Sequence, residues 1–96
     1  MKQHEKRRFL NARKMTTREQ AQAHLKERLH LPDWYGKNLD ALHDCLGGIN
    51  EPTRIILRFS AVLEKALGEY GRSILRILQQ AAEENWNISL TIRPGF

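Results

Sequence analysis

Apolar positions along this chain follow two periods, one of three to four residues and one of two or less, and the switches between them mark its elements. Arg8-Phe9-Leu10-Asn11 predicts a short opening strand. Thr16-Thr17-Arg18-Glu19-Gln20 offers a helix start, a hydroxyl followed three residues on by Glu or Gln. Ala21, Leu25 and Leu29 continue at helical spacing, and Pro32 is expected to end that helix, because its ring disfavours helical geometry in the preceding residue. Asp33-Trp34-Tyr35-Gly36-Lys37 reads as an aromatic-rich turn. Asn38 then suits the N-cap of a second helix, with Gly47-Gly48 as its stop.

The stretch Arg54-Ile55-Ile56-Leu57-Arg58-Phe59 is the strongest strand signal. Ser60 is expected to cap a short helix through Ala61–Leu67, and Gly68 and Gly71 to punctuate before a longer one. That longer helix carries Ile74, Ile77, Leu78 and Ala81 on one face and ends at Asn85. Asn87-Ile88-Ser89-Leu90-Thr91-Ile92 alternates as a last strand, closed by Pro94-Gly95. Strands separated by helical crossovers pair in parallel, so the expectation is a small α/β layer fold of three strands and about four helices.

Ninety-six residues hold one domain, spanning 1–96. No apolar run approaches the roughly 18–20 residues of a membrane span, and the charged N-terminus has no apolar stretch behind it, so no secretory signal is expected. The single cysteine, Cys45, cannot form an internal disulfide, which points to a reducing cytoplasm. The net charge of +5 is uneven. Lys2, Lys6, Arg7, Arg8, Arg13 and Lys14 face only Glu5 in the first 14 residues, which therefore carry the whole excess. Residues 1–6 read as a basic N-terminal arm. Between Asp33 and Glu51 the sign reverses, with Asp33, Asp40, Asp44 and Glu51 against Lys37.

On a helical wheel of about 100° per residue, Leu39, Leu42, Cys45, Leu46 and Ile49 gather on one side. Asp40 and Asp44 stand together on the other, with His43 at their flank. Like charges four residues apart cost a few tenths of a kcal/mol. Asp40 is explained by its place in the first turn, where the helix dipole favours a carboxylate; Asp44 is not. The pair is either a solvated polar face or an anionic plug, beside Trp34 and Tyr35, for a cationic pocket built to hold phosphates.

Other chemistry is weaker. Asp40, His43 and Asp44 could in principle hold a divalent ion, but His4, His24 and His30 are scattered and offer no further ligand pair. Cys45 lies on the apolar side, where thiols are inert. Gly47-Gly48 follows a helix instead of opening one and so forms no phosphate loop. No enzyme activity and no cofactor are expected. The basic N-terminus leaves RNA, or another basic protein met through the acidic island, as the alternative partner.

The segment Leu31-Pro-Asp-Trp-Tyr-Gly-Lys-Asn-Leu-Asp-Ala-Leu-His-Asp-Cys-Leu-Gly-Gly-Ile49 closely resembles the signature of the barstar family of intracellular ribonuclease inhibitors, and the likeness runs from about Lys6 to Ile92. The resemblance implies a three-stranded parallel sheet packed by helices, and a one-to-one complex with a barnase-like ribonuclease whose active site the second helix blocks. It implies that Asp44 stands in for the substrate phosphate and that Asp40 meets basic groups of the catalytic site. Trp34, Tyr35 and the turn residue Gly36 would lie in the interface with Asn38 and Gly47. The chain departs from the family at His43, in place of an interface tryptophan, and at Gln80, in place of an outlying glutamate. Trp86 takes the place of a second cysteine, and the overall charge is basic where the type protein is acidic.

Overall fold

A computed structural model describes residues 5–95. Three strands, β1 (Lys6–Asn11), β2 (Thr53–Arg58) and β3 (Ile88–Arg93), form one parallel sheet in the order β1-β2-β3. Its register aligns Leu10 with Leu57 and Ile92, and Phe9 with Ile56 and Thr91. Four helices fill the crossovers: α1 (Arg18–Arg28) and α2 (Leu39–Gly47) between β1 and β2, α3 (Ser60–Leu67) and α4 (Glu69–Glu84) between β2 and β3. Parallel crossovers are almost always right-handed. Two successive ones stepping the same way across a sheet lay all their helices on one face.

Burial agrees. Leu10, Ile55, Leu57 and Ile88 point into a core completed by Leu25, Leu42, Leu46, Leu63, Ile74 and Leu78. Alternate strand positions carry Arg7, Arg54, Arg58 and Arg93. Among the described residues no helix is long and apolar enough to cross a membrane.

The expected elements are present, with shifted ends. β1 begins at Lys6, so Lys6 is part of the sheet and not of an N-terminal arm; Met1–His4 lie outside the described residues. Thr17 caps α1, its hydroxyl accepting from the Gln20 amide at 3.1 Å. The helix stops at Arg28, ahead of Pro32, because His30 turns left-handed at φ 55°. Leu31 N–H then donates back to Lys26 O at 3.0 Å and His30 N–H to Glu27 O at 3.4 Å, which closes the orphan carbonyls of the last turn.

Two further expectations are corrected. Phe59, left-handed at φ 59°, precedes α3, and Ser60 is its first helical residue and not a side-chain cap. Gly68 does separate α3 from α4, but Gly71 lies buried inside α4. A Cβ there would sit 2.3 Å from the Leu63 carbonyl, so glycine is what lets the two helices touch.

Candidate functional site

Helix α2 is short, and its position is set at both ends. At its start the Asn38 side chain accepts from the Ala41 amide at 2.7 Å. At its end the Asn85 amide donates to the carbonyls of Leu46 and Ile49, at 3.1 and 3.0 Å, where helical partners run out. Between them Leu42 and Leu46 are fully buried, each contributing roughly 2 kcal/mol of apolar burial. That burial fixes the rotation of the helix, and Asp40 and Asp44 consequently face solvent together. The Asp44 side chain is 86% exposed.

Of the two aromatics before α2, only Trp34 is on the surface, at 79% exposure. Tyr35 is 4% exposed and belongs to the core, so the expected pair of contact aromatics reduces to one. Its hydroxyl donates to Gln22 Oε1, and Gln22 Nε2 in turn donates to the Tyr70 hydroxyl at 2.6 Å. Burial pushes the Tyr35 phenol well above the ordinary tyrosine range. This chain of bonds ties α1 and α4 to the loop that delivers α2. Gly36 is exposed, and the left-handed residue of its turn is Lys37, at φ 54°.

His43 does not point at the aspartates as an ion-holding group would. Its Nε2 lies 3.1 Å from Glu84 Oε1 on α4, while Nδ1 is 4.0 Å from Asp44. Gln80 donates to the other Glu84 oxygen at 3.2 Å. The hydrogen bond from His43, and then that from Gln80, hold the Glu84 carboxyl below its ordinary pKa. Gln80 is therefore engaged within its own helix. Among the described residues no three His, Cys, Asp or Glu side chains are arranged to hold a metal ion. Cys45 is half-buried, and burial followed by the charge of Asp44 pushes its thiol up, the reverse of what a nucleophile needs.

Two site features escape sequence reasoning. Glu84 replaces, one turn along α4, the charge absent at Gln80; its meeting with His43 spans 41 positions, and no local pattern signals it. Trp86 is 95% exposed and lines a depression of about 540 Å³ with His43, Gly47, Glu84 and Asn85. A tryptophan among polar residues between a helix end and a strand was the available signal. Glu51, counted in the acidic island, is paired with Lys6 at the start of the sheet, and that bond lowers its pKa.

Helix α2 is thus a ridge between two depressions. One holds His43 and Gly47; the other, about 1020 Å³ and open, is lined by Asp40, Asn38 and Lys37 with Arg18, Gln22 and Tyr70. Gly47 faces open space, with nothing within 4 Å of a Cβ placed there. The crest of this ridge carries the two exposed carboxylates as an acidic surface open to a binding partner.

A sequence model of the family described as Barstar (barnase inhibitor) matches residues 6–93. A Bacillus subtilis (strain 168) protein named "Putative ribonuclease inhibitor YrdF" is 43% identical over 61 residues, covering 62% of this chain and 67% of that protein.

Proposed function

Because the chain belongs to the barstar family, a family of inhibitors and not of enzymes, we propose that it neutralises a barnase-like ribonuclease by seating α2 in the active site as a one-to-one plug. The observation that carries this reading is the pair Asp40 and Asp44, exposed together on a helix whose buried leucines and two asparagine clamps fix its phase. A ribonuclease active site must offer cations to the phosphates of its substrate. Two carboxylates a helical turn apart, with Asp44 as the phosphate surrogate, satisfy those cations without offering a bond to cleave.

Trp34 supplies the apolar contact on one flank of the ridge. His43, steadied by Glu84 and through it by Gln80, supplies the other. Gly47 leaves the end of the helix bare for close approach, whereas Tyr35, Gly36 and Asn38 hold the loop that presents it. Acting inside the cell that makes the ribonuclease, such a protein is an immunity partner in the cytoplasm.

Co-expression with candidate barnase-like ribonucleases tests the proposal. Wild type is expected to restore growth, and Asp44→Ala to fail. With purified proteins the inhibition constant for Asp44→Ala should rise by about two to four orders of magnitude, because stranding a desolvated charge costs about 3–5 kcal/mol. Equal protection by the alanine variant, or no nuclease neutralised, would sink the plug mechanism.

A further inference from the structure

The sheet face opposite the helices has a composition that the inhibitory role leaves unexplained. In register across it run Arg7, Arg54 and Ser89, then Phe9, Ile56 and Thr91, then Asn11, Arg58 and Arg93. Two rows thus set arginines beside each other on neighbouring strands, Arg7 by Arg54 and Arg58 by Arg93. Like charges so placed destabilise a sheet. Arg54 is partly compensated by Glu5 at 3.0 Å and donates to Thr91 at 2.9 Å. Among the described residues the ion pairs leave Arg7, Arg58 and Arg93 without a carboxylate.

Between the charged rows Phe9 is 41% exposed, on a face where a fold seeking only solubility would place a polar residue. Ile56 beside it is buried yet outside the main core. At the β1 edge a groove of about 240 Å³ carries the positive surface onward from Phe9 and Arg58 past Lys14 to Arg28, with Glu27 as its one acidic member.

We propose that this open face binds single-stranded RNA, with Arg7 on a phosphate at one end of the face, Arg58 and Arg93 on phosphates at the other, and a base stacked on Phe9 between them. A shallow sheet cannot enter the groove of a duplex, but it can receive the splayed bases of a single strand, and an aromatic ring between guanidinium groups accepts any base. RNA, in preference to other polyanions, rests on the proposed function, since the target nuclease works on it. The face lies on the far side of the sheet from α2, so an RNA held there leaves the acidic ridge free. Of the six basic residues among the first 14, Lys6, Arg7 and Arg8 belong to β1, and Arg7 lies on this face.

Fluorescence anisotropy with labelled 12-mers of uridylate and adenylate in 50 mM salt tests this on the full chain. Binding should weaken with salt at a log–log slope near −2, as three phosphate contacts on a single strand require. The double variant Arg58→Ser/Arg93→Ser should bind at least tenfold more weakly while melting no lower than wild type, because it removes a repulsive pair. Phe9→Leu should lose about fivefold or more, and Phe9→Tyr should keep wild-type affinity. Asp44→Ala should bind RNA unchanged, and the double arginine variant should still inhibit the ribonuclease, which keeps this proposal separable from the plug. The absence of binding in 50 mM salt would overturn it. So would full affinity in the double arginine variant, or polyphosphate competing equally with Phe9→Leu without effect.

Discussion

The imidazole of His24 accepts a hydrogen bond from the Asn11 backbone N–H at 2.9 Å, which only a neutral ring can do. Burial first, and then the charge of Arg28, lower its pKa below the ordinary 6.5. A depressed pKa means that the unfolded chain binds the proton more readily, so this contribution is present above 6.5 and lost as pH falls below it. Thermal melts from pH 7.5 to 5.5 should show a falling midpoint, and His24→Gln should flatten that part of the profile. Tyr35 acts in the opposite sense. Its raised pKa gives stability that is present below the ordinary tyrosine value of about 10 and lost as pH rises beyond it. Tyr35→Phe should remove this alkaline loss at a cost of about 1–2 kcal/mol for the unpaired Gln22, read by urea denaturation at pH 7.

Neither of these residues announces its role in the sequence. Trp34 and Tyr35 are adjacent aromatics in one turn, and nothing local says which goes inside. Gln22 and Tyr70 decide it from 13 and 35 positions away. Asp40 and Asp44 are the contrary case, since their outward direction follows from the spacing of Leu42 and Leu46 within the same nine-residue helix.

At the level of the element, α2 gives up stability at its exposed end. Glycine within a helix costs roughly 0.5–1 kcal/mol relative to alanine, and open space surrounds Gly47. Gly47→Ala should therefore raise the urea midpoint of the free protein by about that much while weakening inhibition by tenfold or more, if this end of the helix packs against the nuclease. Gly71 makes the opposite prediction. There an added methyl meets the Leu63 backbone, and Gly71→Ala should destabilise the protein by about 1–3 kcal/mol by prising α4 from α3. The sequence marks both glycines as punctuation. Only the packing separates one that ends a helix from one that lets two helices meet.

The whole molecule is polarised, with carboxylates on the α2 ridge and arginines on the bare side of the sheet. A net charge of +5 gives long-range attraction to a basic ribonuclease little to work with. Stopped-flow association with the partner nuclease should change by less than about tenfold between 20 and 300 mM salt; a steep decline would mean that the local acidic face outweighs the net charge.

The chain by itself determined the α/β alternation, the parallel sheet and the outward pair of aspartates. The alternation and the aspartates rest on periodicities and caps within a dozen residues, where backbone geometry leaves few choices, and the parallel pairing rests on the helical crossovers that separate the strands. Tertiary structure alone decided that Tyr35 is interior, that Glu84 joins His43 beside α2, that Trp86 stands exposed there, and that scattered arginines share one face. Those outcomes depend on contacts between residues tens of positions apart, and the register that brings them together is set by the packing of the entire core.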